Sequence, residues 1–365
     1  MDLRRKRIIR NTALTTAGAL VALGGFLWLY GMNDRALGRA CGGMLPVDDV
    51  RAVLGDDHLD VNSRSGNGVD TCEVSADADG GSARVSIVDT ARVSEDGWIS
   101  PTLAGGSAGN MLSVPVGQGW SGVFAADTDD GEATTTLTLT CAEGSKKTSA
   151  GKPVKGLAVS VRTALGTTLD NPAERPAYVR IATATAAKAA KAYGCVTHLG
   201  HRPLRTVGLP VTEEEFEPLS DASGTCAGIS PAPGVTTARE TARAGAPFET
   251  CLLGDDGLGN HRYSLEAHFG VYATQQKANY AEARYTSDPT PADAPKGQLR
   301  EGGAYWGTAA CPVDGGERAV FVVRRTSTRG HERATAAERE YARTVLRTFA
   351  ERSAKAHGCA APTTP

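Results

Sequence analysis

The pentapeptide Gly105-Gly106-Ser107-Ala108-Gly109 has the pattern of a nucleophile elbow, in which a strained strand-to-helix turn exposes a serine for acyl transfer. Its setting argues against that chemistry, because Asn110 to Val116 include Pro115 and carry no helical periodicity. His198 and His201 lie three apart, a spacing that suits a metal ion only if further ligands converge, and no third ligand stands out. Asp127, Asp129 and Asp130 begin like a calcium loop. Gly131 replaces the oxygen donor required at the fifth position, however, and no glutamate stands at the twelfth. A hairpin turn accounts for these aspartates better. We therefore expect no catalytic residue, no cofactor and no metal ligand, and a protein that is not an enzyme.

The eight cysteines carry a stronger signal. No two are closer than 24 intervening residues, which excludes the close pairs of a zinc ribbon and leaves disulfides. Cys41, Cys72, Cys141 and Cys195 are separated by 30, 68 and 53 residues; Cys226, Cys251, Cys311 and Cys359 by 24, 59 and 47. The proportions match, as in a duplication. The fourth cysteines close Ala190-Lys191-Ala192-Tyr193-Gly194-Cys195 and Ala354-Lys355-Ala356-His357-Gly358-Cys359, identical at all positions but one. Each set of four allows three pairings; locality favours first with second and third with fourth.

Those cysteines need elements to hold them. Each hexapeptide ends a helical segment, with Gly194 and Gly358 supplying a left-handed stop. In register, Ile181, Ala182 and Thr185 fall opposite Val345, Leu346 and Phe349, positions that share one helical face. Thr335 with Glu338 forms a capping box for the second helix, and Pro176 marks the first turn of the other, which starts near Asn171 and Pro172. Upstream lie strands ending in arginine and threonine, Leu157 to Thr163 and Val320 to Thr326. Before the third cysteine of each copy stands a Gly-Trp element, at Trp120 and at Trp306, with an extra hairpin in the first copy turned at Asp129-Asp130-Gly131. These two tryptophans are either core packing or possible recognition residues. Pro46 to Leu54 reads as a short helix stopped by Gly55, and Thr236 to Ala244 occupies the same place in the second copy. Turns such as Asp79-Gly80-Gly81 and Asp314-Gly315-Gly316 separate the strands.

The predicted fold is α+β: an N-terminal transmembrane helix followed by two duplicated disulfide-bonded domains, each an antiparallel sheet packed by a long C-terminal helix. The expected organisation is a cytoplasmic basic tail over 1–10, a transmembrane signal anchor over 11–32, repeat domains over 41–199 and 226–360, and a linker over 200–225. Arg4, Arg5, Lys6, Arg7 and Arg10 precede an uncharged run long enough for one crossing of a hydrocarbon layer about 30 Å thick. The basic cluster keeps the N-terminus cytoplasmic and sends the bulk of the chain outside the cell membrane. A cleaved signal peptide ending near Gly38-Arg39-Ala40 is the competing reading, although its apolar core is ordinarily shorter. An oxidising exterior agrees with disulfides. Removing the tail's five basic residues and Asp2 leaves 34 basic against 40 acidic residues, a balance with no basic track for nucleic acid. The run Glu213, Glu214, Glu215 and Glu217 reads as solvated linker.

The basic tail, the apolar span, the Ala/Gly/Asp/Arg-rich exterior and the stretch CGGMLPVDDVRAVLG starting at Cys41 together resemble uncharacterised membrane-anchored or secreted envelope proteins of actinobacteria. The resemblance implies an envelope location and brings no activity, cofactor or functional residue. The expected function is a single-pass envelope protein that binds a partner protein, wall polymer or small ligand. The alternatives are a secreted hydrolase with an unrecognised site and a structural spacer of a membrane complex.

Overall fold

A computed structural model describes residues 35–365 except 56–57, 67–68, 77–79, 92–111, 128–130, 142–152, 166–168, 170, 202–204, 212–214, 244, 256–260, 282–289, 292, 300–302, 313–317 and 327–333. The expected tail and span, the Gly105–Gly109 pattern, Asp129 and Asp130, the Asp314-Gly315-Gly316 turn, and Glu213 and Glu214 lie outside the described residues. Among the described residues no helix is long and apolar enough to cross a membrane.

The first domain opens with helix α1, residues 35–43, and α2, Val47–Leu54. Asp48 and Asp49 sit in the first turn of α2, where carboxylates favour the positive end of the helix dipole, and Gly55 at φ 94° stops it. Seven strands follow: β1 Leu59–Gly66, β2 Val69–Ala76, β3 Ser82–Asp89, β4 Val114–Gly117, β5 Trp120–Asp127, β6 Glu132–Thr140 and β7 Gly156–Ala164. They form one antiparallel sheet in the order β1-β2-β3-β7-β6-β5-β4. Gln118 and Gly119, both at positive φ, make the two-residue turn between β4 and β5. Helix α3, Arg175–Tyr193, has its proline in the first turn and ends at Gly194 with φ 64°. Its face of Ile181, Ala182 and Thr185 is fully buried and lies over β6 and β7. The period-2 alternation of Leu157, Val159 and Val161 supplies the facing apolar surface.

The second domain contains β8 Glu217–Pro218, β9 Thr237–Glu240, β10 Phe248–Gly254, β11 His261–His268, α4 Val271–Ala281, β12 Lys296–Gln298, β13 Tyr305–Ala310, β14 Arg318–Arg325 and α5 Ala336–Ala356. Its sheet is antiparallel in the order β12-β13-β14-β11-β10-β9-β8. The capping box of Thr335 with Glu338 is present, and Val345, Leu346 and Phe349 are buried against the sheet.

Six strands superpose in order, β1-β2-β3-β7-β6-β5 on β9-β10-β11-β14-β13-β12. The disulfides join Cys41 to Cys72, Cys141 to Cys195, Cys226 to Cys251 and Cys311 to Cys359, first to second and third to fourth in both copies. Each first bridge ties the segment entering the domain to the second strand of the shared order. Each second bridge ties the chain just after β6 or β13 to the end of the C-terminal helix. By loop length each bridge contributes about 3.5–4 kcal/mol through the unfolded chain.

Three expectations about the repeat are corrected. Thr236 to Ala244 does not stand in the place of α2. It contains β9, because its β-branched start follows a hairpin closed by Ala232 and Val235 and pairs with β10. Trp120 and Trp306 are not counterparts, since Trp120 begins β5 whereas Trp306 lies on β13, the strand matching β6. Following the cross-strand row from Cys72 through Val85 and Val161 to Thr135, and from Cys251 through Leu265 and Val323 to Tyr305, places Thr136 where the second domain has Trp306. The same rows match Arg162 to Arg324, one residue away from the pairing suggested by the arginine–threonine ends.

Much of the segment expected as a linker is ordered against the first domain. His201 N–H donates to Gln118 O at 2.8 Å, Leu112 and Val211 exchange backbone bonds, and Arg175 donates to the carbonyls of Leu169 and Val207. Val88 and Ala158 on the side of the first sheet away from α3 pack with Tyr272, beside Phe248 and Val271 of the second domain.

Candidate functional site

In both domains the side of the sheet facing the long helix is largely apolar, and in the first domain polar residues fill rows on the opposite side. In the first domain one cross-strand row is Asn62, Glu73, Arg84, Arg162 and Thr134, and the next is Arg64, Thr71, Ser86, Ser160 and Thr136. This alternation follows from strand geometry, since residues two apart share a face. Over β1, β2 and β3 no described residue covers the part of this face away from Val88. Asn62, Arg64, Thr71, Glu73, Arg84 and Ser86 line a shallow depression of about 290 Å³. Arg84 Nη2 donates to Glu73 Oε2 at 2.9 Å, and Arg162 donates to Glu132. These pairs are half-exposed, so they order the side chains more than they stabilise the domain.

The matching face of the second domain is covered. Between β11 and β12 the chain forms α4, whose Ala273 and Tyr280 bury Trp306, Val320 and Val322. The first domain is also helical at residues 90 and 91, directly after β3. Beneath α4, Glu266 sits where the first domain has Ser86. Its Oε1 accepts from Arg324 Nη1 at 3.2 Å, and its Oε2 lies 3.1 Å from His268 Nε2. Arg324 Nη2 also donates to Tyr280 Oη at 2.6 Å, which accepts from Gln276 Nε2 at 2.8 Å. Burial works to raise the Glu266 pKa, but the Arg324 charge and the His268 hydrogen bond outweigh it and hold the carboxyl at about 2. Burial pushes the Tyr280 phenol above its ordinary value. A carboxylate held this firmly ionised is a poor proton donor near neutral pH; it anchors Arg324 and, through it, Tyr280 of α4.

A second buried carboxylate brings together a serine and a histidine. Glu249 Oε2 accepts from Ser353 Oγ at 2.5 Å, and its Oε1 lies 3.2 Å from His357 Nε2, whose ring stacks on Phe269 with centroids 3.5 Å apart. Ser353 is fully buried. Ser353 gives its hydrogen bond to the carboxylate and not to His357, and its buried hydroxyl is out of reach of a substrate. The arrangement clamps the end of α5 to β10.

The residues singled out by sequence fall as follows. All eight cysteines, Cys41, Cys72, Cys141, Cys195, Cys226, Cys251, Cys311 and Cys359, are bridged. Trp120 and Trp306 are 3% and 0% exposed, so neither indole is presented at the surface. Trp120 Nε1 donates to His201 O at 3.3 Å. His198 and His201 gather no further ligand, and no cluster of three metal-binding side chains occurs among the described residues. Asn62, Arg64, Glu73, Arg84, Glu266, His268 and Arg324 were not singled out. Their signal is faint: polar residues two apart, such as Thr71 with Glu73 and Arg84 with Ser86, mark a strand face without saying whether a helix covers it.

The chain matches no protein-family model, no curated protein and no solved structure. What the fold defines is a pair of α+β domains, each with an antiparallel sheet, one long C-terminal helix and two disulfides.

Proposed function

We propose that the chain is a membrane-anchored, extracytoplasmic binding protein of the cell envelope, and that the open sheet face of its first domain takes a hydroxyl-rich or anionic wall polymer. The observation that carries this reading is the contrast between the two repeats. Among the described residues, the second covers its outer sheet face with α4, while the first leaves Asn62, Arg64, Thr71, Glu73, Arg84 and Ser86 exposed or half-buried around a shallow depression. A flat polar face offers hydroxyl, carboxamide and guanidinium donors to a chain of sugar or phosphate groups, and arginine binds such anions in a bidentate manner. The four disulfides suit an oxidising exterior, and the basic cluster before residues 11–32 suits an anchor with the domains outside.

Co-sedimentation of the full chain, in detergent, with purified wall sacculi tests the proposal. Binding should be saturable and should weaken at least about tenfold in Arg84→Glu, which reverses the charge in the middle of the face. Failure to sediment with sacculi, or equal binding by Arg84→Glu, would overturn it and favour the passive spacer.

A further inference from the structure

The two repeats differ at one sheet edge. In the second domain β9 is covered by β8, where Glu217 pairs with Ala238 and Pro218 with Thr237. A proline there ends the ladder, because it has no N–H to offer a further strand. In the first domain the equivalent strand is β1, which is eight residues long, contains no proline and, among the described residues, pairs only with β2. From Asn62 to Gly66 every residue of this edge is exposed. An uncovered edge of this length presents a row of backbone donors and acceptors that an extended strand can complete.

We propose that the occupant is β1 of a second copy of this chain, paired antiparallel about Asn62. The argument is one of symmetry and charge. A two-fold axis perpendicular to the sheet keeps the same face up in both copies, so an isologous antiparallel pair must be centred on a residue opposite itself. Asp60, Asn62 and Arg64 project from the outer polar face, in the rows that contain Ser75, Glu73 and Thr71. Centring on Asn62 sets Asp60 of each copy opposite Arg64 of the other, giving two opposite-charge pairs on one face. Centring on Asp60 or on Arg64 sets like charges opposite each other, and opposite charges across a ladder stabilise it while like charges do the reverse. On the other face, Ser63 already accepts from Cys41 N–H at 3.0 Å, so the bridged end of α1 holds β1 in place for pairing. The charges that discourage other strands thus select this strand as its own partner. The result is a continuous sheet of fourteen strands across the dyad, seven from each copy.

The test is the mass of the full chain in detergent by sedimentation equilibrium, together with cross-linking. A dimer is expected. Asp60→Arg and Arg64→Asp should each weaken it at least about tenfold by placing like charges opposite, and the two substitutions combined should restore it. Restoration by the double exchange also shows that both new side chains are compatible with the fold, and an unchanged urea midpoint shows that each single variant folds. Asn62→Cys should cross-link with its symmetry mate under mild oxidation, whereas Glu73→Cys, one strand further in, should not. A monomer at all concentrations would overturn the inference. So would a dimer indifferent to both charge exchanges, which would place association elsewhere, for instance along residues 11–32.

Discussion

Replacing Glu266 by glutamine isolates the electrostatic role of the cluster under α4. The carboxyl titrates at about 2 in the folded domain against 4.5 for the ordinary group, held down by Arg324 and His268 against the opposing effect of burial. At about 1.4 kcal/mol per unit, ionisation of Glu266 contributes about 3 kcal/mol to folding. A folded pKa below the unfolded one gives stability that is complete above about pH 4.5 and lost as pH falls through about 2. Wild type should therefore exceed Glu266→Gln by about 3 kcal/mol near pH 7, and the difference should shrink to about 0.4 kcal/mol near pH 2, where the wild-type carboxyl is half protonated. Taking the difference between the two proteins cancels the titration of every other carboxylate. Urea titrations at several pH values, read by pulsed amide exchange on peptides from β11 and β14, report the second domain separately from the first. A difference that stays constant from neutral to acid pH, or a glutamine variant as stable as wild type at neutrality, would refute the reasoning.

Trp306→Ala should cost the second domain about 3–5 kcal/mol, since the indole is fully buried between β13 and α4. The same exchange measurement on β13 peptides checks it, and the first domain should be unaffected. Thr335→Ala removes the hydroxyl that accepts from Glu338 N–H at 3.2 Å and should lower the second domain's stability by about 1 kcal/mol, visible as a shift in urea midpoint.

The parts of the fold that were legible in the sequence are those where chemistry acts over short chain distances. The bridges were readable because the shared ending before Cys195 and Cys359 put both fourth cysteines at a helix stop, and locality then favoured the pairing observed. The helix over Ala336–Ala356 was readable because Thr335 and Glu338 cap it within one turn. Helix α4 was missed because its polar residues Gln275 and Gln276 are buried, which blurs the contrast between an apolar and a polar face. The matching of Trp120 with Trp306 failed because strand equivalence depends on cross-strand register, which the order of cysteines along the chain does not encode. The open face of β1, β2 and β3 was invisible for a related reason: whether polar residues on a strand meet water or a covering helix is decided by distant chain.

The placement of the four bridges also governs how the protein would respond to mechanical load. Chain between Cys41 and Cys72, between Cys141 and Cys195, and within the corresponding loops of the second domain is shielded from tension, because the covalent path runs through the sulfurs. Tension applied between the two ends of the chain can lengthen the first domain only by the run from Cys72 to Cys141, and the second only by that from Cys251 to Cys311. At about 3.6 Å per extended residue those runs reach roughly 250 Å and 215 Å. The α3 and α5 helices lie within shielded segments, so load would strip strands from each sheet while leaving each long helix bridged at its end.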